Sequence, residues 1–155
     1  MPQNSAQTTS YDIDFSALSR GLWIDGKWRA ASSGASVNVT DPSTEATITT
    51  VPDATVEDAM SAVEAAAAAA EGWRTTPPRK RSEILRRCFE LMIERQEMLA
   101  RLISIENGKA LRDARGEVAY AAEFFRWNAE EAVRITGEFG TAPSGTNRII
   151  VDYQP

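Results

Sequence analysis

The chain contains no histidine and only one cysteine among its 155 residues. Without histidine, Ser-His-Asp and Cys-His catalysis are excluded, as is any metal site that depends on histidine ligands. The single cysteine, Cys88, cannot form a disulfide within the chain. Apolar runs also stop well short of the roughly 20 residues that a membrane-spanning helix needs, so no membrane partner is expected.

Positive charge is in the minority, with 17 Lys and Arg against 22 Asp and Glu and a net charge of −5. This balance argues against a nucleic-acid partner or an anionic membrane surface. The first 20 residues lack the apolar core of a secretory signal and the arginine-rich composition of a transit peptide. We therefore expect a cytoplasmic protein with the composition of an ordinary globular domain.

The longest periodic stretch runs from Arg79 to Lys109 and contains no proline, and no glycine before Gly108. Apolar residues recur along it at spacings of three, four and seven, which predicts a helix that buries one face. They are Leu85, Cys88, Phe89, Met92, Leu99, Leu102 and Ile103. The fully polar turn at residues 94–97 predicts a break into two helices. Gly108 is expected to end the second helix in a left-handed conformation.

Two short β-hairpins are predicted before this stretch. Residues 22–28 place Asp25-Gly26 between apolar flanks, and this dipeptide favours a type I′ turn with two positive φ angles. A second strand pair is expected between residues 37–39 and 46–51.

The remaining segments predict two further helices and a strand. Thr55 is placed as the N-cap of an alanine-rich helix that runs to Gly72, which we expect to be sandwiched between other elements. Another helix opens after Gly108, and Gly116 within it suggests a close helix–helix crossing. Its apolar stripe comprises Leu111, Ala114, Val118, Ala121, Phe125 and Ala129. Residues 148–155 are strand-like and have no evident partner strand.

The residues that could carry chemistry favour structural explanations. Cys88 follows two arginines but lies on the apolar stripe, which indicates a core thiol. Ala110 follows Gly108-Lys109 where a phosphate loop requires Ser or Thr, so a helix cap is the better interpretation. Residues 137–140 neither follow a predicted strand nor open a helix, which favours a plain loop over a dinucleotide site.

Acidic and aromatic clusters are likewise expected to be structural. Glu130-Glu131 could pair as acid and base, but no pocket is implied around them, so a solvated helix face is predicted. Packing anchors are the expected use of the aromatic side chains, rather than a binding cluster. These side chains are Trp23, Trp28, Phe124, Phe125 and Trp127. We predict no catalytic, cofactor-binding or metal-ligating residue in this chain.

Several stretches form a recognisable series when they are taken in chain order. They are Leu22–Trp28, Asn38–Pro42, Thr50–Pro52, the alanine-rich helix into Gly72–Arg74, Arg81–Glu94, Glu106–Lys109 and Tyr153–Pro155. In this order they resemble the N-terminal third of an NAD(P)-dependent aldehyde dehydrogenase. The segment 116–132 looks most like succinate-semialdehyde dehydrogenases within that family.

The resemblance implies an α/β fold with a Rossmann-type cofactor domain, of which this chain covers the N-terminal part. Expected within it are two short β-hairpins, three or four α-helices and a C-terminal strand. Residues 1–20 would be a flexible arm and residues 21–147 part of the cofactor-binding domain. Residues 148–155 would start an oligomerisation hairpin.

The mechanism that the resemblance implies uses groups outside this chain. In the family a cysteine thiolate attacks the aldehyde, a hydride passes to the nicotinamide, and a glutamate activates water. An asparagine side chain and a backbone N–H stabilise the oxyanion. None of these groups corresponds to a residue here, so an inactive N-terminal fragment is expected.

The complete enzyme would use NAD or NADP and oxidise an aldehyde, with succinate semialdehyde the expected substrate. Its partners would be the remainder of the same enzyme and further copies in a dimer or tetramer. The alternative hypothesis is a non-catalytic helical module, derived from the enzyme, that binds a protein partner through exposed apolar stripes.

Overall fold

The structure is a computed structural model that describes residues 13, 18 and 21–154. Apart from Ile13 and Leu18, the predicted arm at residues 1–20 lies outside the described residues. The described part of the chain forms three two-stranded antiparallel sheets and four α-helices. Two of the sheets precede the helices and the third follows them.

The first hairpin confirms the turn predicted from Asp25-Gly26. Strand β1 (Leu22–Ile24) pairs with β2 (Lys27–Arg29) across these two residues. Their φ angles are 53° and 70°, the two positive values that a type I′ turn requires. The second predicted strand pair is also present, as β3 (Ser36–Thr40) and β4 (Thr47–Pro52).

Three of the predicted helix boundaries are present: the cap of α1, the break after α2 and the end of α3. Helix α1 (Val56–Arg74) starts with a capping box formed by Thr55 and Asp58. Helix α2 (Pro78–Glu94) and helix α3 (Gln96–Asn107) are separated at Arg95, which confirms the predicted break. Gly108 ends α3 in the left-handed conformation with a φ angle of 68°. Helix α4 (Leu111–Glu131) follows.

Helix α4 is the centre of the packed unit, and it contacts both α2 and α3. Ala100 of α3 and Ala114 of α4 are fully buried, and Val118 is 2% exposed beside them. Leu99, Ile103 and Leu111 are partly buried against this group. Among the described residues, no large side chain is fully buried. The core of this chain is therefore small and built mainly from alanine.

The expected sandwiching of the alanine-rich helix is wrong for the described part of the chain. Asp58 is the only residue of α1 that is buried there. The β1–β2 hairpin lies along one side of the helix and leaves a groove of about 300 Å³, while Val56 and Val63 are exposed. Alanine permits a close approach of a neighbouring helix or strand. Beyond the β1–β2 hairpin, no such element of the described residues covers α1.

The expected close crossing at Gly116 is also wrong. Gly116 is exposed, and a Cβ added there would meet no atom within 4 Å. Helix α4 continues through it without a break. A single glycine lowers helix stability by up to about 1 kcal/mol, a cost that a helix of this length with buried contacts can absorb.

The C-terminal strand has a partner that the sequence pattern did not reveal. Strand β6 (Arg148–Val151) pairs with β5 (Glu138–Thr141) in a third antiparallel hairpin. The predicted plain loop at residues 137–140 is therefore wrong for most of its length. Gly137 is required next to this pairing, because a Cβ there would collide with the carbonyl oxygen of Val151.

Candidate functional site

The predicted core cysteine lies on α2 and is only half-buried. Helix α2 has charged residues along one side, and Cys88 lies on the opposite, partly covered side with Leu85 and Met92. It lines neither of the two clefts described below. The position is compatible with a structural thiol.

The helix-cap interpretation of Gly108-Lys109 is confirmed. The carbonyl of Lys109 accepts a hydrogen bond of 2.6 Å from the hydroxyl of Ser104, and its ammonium group forms an ion pair with Glu117. These contacts fasten the α3–α4 connection to both helices. The lysine is therefore engaged by the protein itself at the position where a phosphate loop would leave it free.

The acidic pair Glu130-Glu131 is divided between two environments. Glu131 forms an ion pair with Arg134 at 2.8 Å. Glu130 is exposed and lines a cleft between α2 and α4, and Glu131 lines a second one, so the expectation that no pocket lies beside this pair is wrong. With one carboxylate neutralised by a neighbouring arginine, the two do not form a matched acid and base.

The predicted use of the aromatic residues as packing anchors is wrong within the described part of the chain. Trp23 and Trp28 are 58% and 53% exposed and contact each other with their rings tilted by 57° and the ring centroids 4.9 Å apart. Phe124 and Trp127 are also exposed on α4, and Phe124 meets Tyr120 edge-on. No larger surface of the described residues covers these rings.

Asp58 is one of two buried aspartates in the described part of the chain, with Asp41, and it joins the loop after β2 to the start of α1. It is 4% exposed and accepts hydrogen bonds of 3.0 Å from the backbone N–H groups of Ser32 and Thr55. Arg29 lies 3.6 Å away. The backbone N–H of Ser32, and next that of Thr55, holds the pKa of this carboxyl below its ordinary value. The sequence predicted the cap but not its connection to Ser32.

Glu97 joins α3 to α4 through a two-pronged ion pair. Its carboxylate accepts hydrogen bonds of 2.8 and 2.9 Å from the guanidinium of Arg115, and Arg101 lies 3.3 Å away. The hydrogen bonds from Arg115 are the main reason that the pKa of Glu97 is lowered to about 2. This pair connects the two helices where they cross, and it engages the Glu97 carboxylate in ion pairs.

Two clefts lie on either side of the contact between α2 and α4. The first has a volume of about 420 Å³ and is lined by arginines from both helices. The second, of about 460 Å³, is more apolar and is lined by Trp73, Leu85, Ile135 and Tyr153, among others. Neither cleft was predicted from the sequence, because each is lined by residues that only the fold brings together.

Within residues 13, 18 and 21–154, no three metal-ligating side chains come together. Helices long and apolar enough to cross a membrane are also absent from this part of the chain. The described residues thus offer ion pairs, helix caps and clefts.

Comparison with known proteins gives one consistent family. The model of the aldehyde dehydrogenase family matches residues 28–155. Over 108 residues the chain is 52% identical to a succinate-semialdehyde dehydrogenase of Paenarthrobacter nicotinovorans, covering 70% of this chain and 24% of that protein. It is 46% identical over 133 residues to a glutarate-semialdehyde dehydrogenase of Pseudomonas putida, and this match covers 86% of this chain and 28% of that protein.

A solved structure agrees with these sequence matches. The crystal structure of succinate-semialdehyde dehydrogenase from Burkholderia pseudomallei superposes with a TM-score of 0.81 at 42% identity, over 88% of this chain and 28% of that one. The fold therefore corresponds to the N-terminal region of such enzymes. The chain spans about a quarter of the length of the relatives it matches.

Proposed function

The chain belongs to the aldehyde dehydrogenase family, and from this we propose that it supplies the N-terminal region of an enzyme that oxidises a semialdehyde to a carboxylic acid. The proposed substrate is a short aldehyde with a carboxylate at its other end, and succinate semialdehyde is our first choice. This choice rests on similarity to a succinate- and a glutarate-semialdehyde dehydrogenase. The cofactor of the complete enzyme would be NAD or NADP, which the family uses.

The observation that carries this proposal is the incomplete core. Large apolar side chains are exposed along three helices, including Met60 and Val63 on α1, Ile84 on α2 and Phe124 on α4. Contiguous apolar patches of more than a few hundred Å² are rare on soluble monomers. Since the relatives are about four times longer, we propose that the remainder of the same polypeptide covers these faces.

We further propose that the chain has no catalytic activity of its own. It contains no histidine, and its single thiol lies outside the clefts described above. The carboxylates of Asp58 and Glu97 are engaged in hydrogen bonds and ion pairs. Nucleophile, base and cofactor-binding groups would then come from the remainder of the enzyme, which would assemble as a dimer or tetramer. A cytoplasmic location stays a prediction from the sequence.

A chimeric enzyme tests this proposal. This chain would replace the matching N-terminal segment of the Paenarthrobacter enzyme, and formation of NADH or NADPH would be followed at 340 nm with succinate and glutarate semialdehydes. We expect a folded oligomer that oxidises succinate semialdehyde. The parent enzyme is the positive control and the 155-residue chain alone is the negative control. A folded chimera without activity would contradict the proposal.

The alternative, a freestanding interaction module, is favoured only by the packing of α4 against α2 and α3. It requires the isolated chain to be a compact, cooperative monomer. We expect the opposite, because exposed apolar faces and the open edges of the β5–β6 hairpin promote association. Sedimentation over a concentration series, with and without residues 148–155, separates the two. Deleting these residues should reduce self-association without abolishing it.

A further inference from the structure

The second cleft brings together side chains from four separate segments of the chain. Trp73 comes from the end of α1, Leu85 from α2, Ile135 from the connection between α4 and β5, and Tyr153 from the residues after β6. Three of these side chains remain open to solvent, with Trp73 49%, Ile135 65% and Tyr153 58% exposed. The cleft is therefore an apolar surface that the fold assembles and that the described residues leave uncovered.

The charged side chains in this lining are engaged by the protein itself. Arg74 donates hydrogen bonds of 2.8 and 2.6 Å to Glu71, and Glu131 pairs with Arg134 at 2.8 Å. Arg81 donates to the backbone carbonyl of Arg74 at 3.4 Å. Ion pairs at an exposed rim contribute little free energy, whereas covering apolar side chains is favourable in proportion to the area removed from water. The cleft is therefore better suited to an apolar partner than to a charged ligand.

The place of Tyr153 and Gln154 in the cleft indicates which partner this is. These two residues form part of its wall. The family model matches residues 28–155, and the matched part corresponds to the N-terminal region of the relatives, whose polypeptide continues beyond it. In those proteins the following segment therefore starts beside this wall. A segment joined so closely to a surface has a high effective concentration there, which favours it over a second copy or a separate protein.

We propose that the second cleft is a docking site for the segment of the enzyme that follows the matched N-terminal region, and that an apolar side chain of this segment lies against Trp73, Ile135 and Tyr153. This docking rests on the proposed function, because it requires the remainder of an aldehyde dehydrogenase to be present. It adds a specific contact, since the exposed residues named for that function do not line this cleft. The volume of about 460 Å³ lies in the range of cavities that enclose small molecules, so it has room for large side chains.

Thiol labelling at residue 135 tests this contact. Ile135→Cys would be introduced into the 155-residue chain and into the chimera described above. The rate of maleimide modification at this position would be read by peptide mass spectrometry, at a concentration where sedimentation shows a single species of the isolated chain. We expect labelling to be about tenfold slower or more in the chimera, because a covered thiol reacts only when its cover opens.

An exposed position outside the cleft provides the matched control. Arg112 lies on α4 with its side chain 92% exposed, and it lines neither cleft. Arg112→Cys should therefore be labelled at similar rates in the isolated chain and in the chimera. Far-UV circular dichroism checks that each variant keeps its helices. If Ile135→Cys prevents the chimera from folding, Tyr153→Cys gives the same measurement from another wall of the cleft.

Activity of the chimera separates the docking from the proposed reaction. A folded but inactive chimera with slow labelling at residue 135 would reject the reaction and support the docking. An active chimera that is labelled at residue 135 as fast as the isolated chain would overturn the docking alone. Equal slowing at residues 112 and 135 would also overturn it, because it would show general shielding by the larger protein. Slow labelling of the isolated chain that depends on its concentration would place a second copy in the cleft instead.

Discussion

Val118 gives the most direct test of the packing between α3 and α4. It is 2% exposed and lies beside the fully buried Ala100 and Ala114. Val118→Ala removes two methyl-sized groups, worth about 0.8 kcal/mol each in transfer free energy. The cavity that remains adds to this cost, because the surrounding helices relax only in part. Alanine has a higher helix propensity than valine, and this offsets about 0.5 kcal/mol of the lost stability. We expect the free energy of unfolding to fall by about 2 kcal/mol.

A valine elsewhere in the chain provides the control. Val63 lies within α1 and is 61% exposed, so Val63→Ala gains the same helix propensity and loses little burial. Urea unfolding followed by far-UV circular dichroism would compare both variants with the parent chain, at a concentration where sedimentation shows a single species. If Val118→Ala costs no more than Val63→Ala, the small core around α4 is not formed as described.

Further predictions concern individual side chains. Asp58→Ala should speed hydrogen exchange at the amide of Ser32 by about tenfold, because that N–H loses its acceptor, whereas Glu57→Ala should not. The pKa of Glu97 is lowered to about 2 in the folded chain, so its stabilising effect is complete above its ordinary pKa of 4.5 and disappears as pH falls towards 2. In the Glu97→Gln variant the free energy of unfolding should therefore fall less steeply between about pH 4.5 and pH 2 than in the parent chain. Cys88→Ser in the active chimera should cost about 1 kcal/mol in stability and leave turnover per folded enzyme unchanged.

The features that were predicted from sequence are those fixed by a few neighbouring residues. The turn at Asp25-Gly26 and the end of α3 at Gly108 both follow from the ease with which these residues adopt positive φ. Thr55 caps α1 because its side chain reaches the N–H of Asp58 three residues later. The break at Arg95 follows from a turn that has no apolar side chain to bury.

The features that were missed depend on groups distant in sequence. The pairing of β5 with β6 uses backbone hydrogen bonds across the glycine- and proline-containing loop at residues 142–147, which local composition does not reveal. Burial of Trp23 and of the alanine-rich helix was overestimated, since an apolar side chain is buried only where another surface meets it. The arginines of the first cleft come from α2, from α4 and from the turn after α4, and only the packing of α2 against α4 brings them around one cavity.

The central claim is that this chain forms part of an aldehyde dehydrogenase and relies on the remainder of the enzyme for cofactor binding and chemistry. Calorimetric titration of the 155-residue chain with NAD and NADP tests it most directly. We expect no heat of binding for either nucleotide up to millimolar concentration. Micromolar binding of either one would contradict this account, because it would place a cofactor site within these residues.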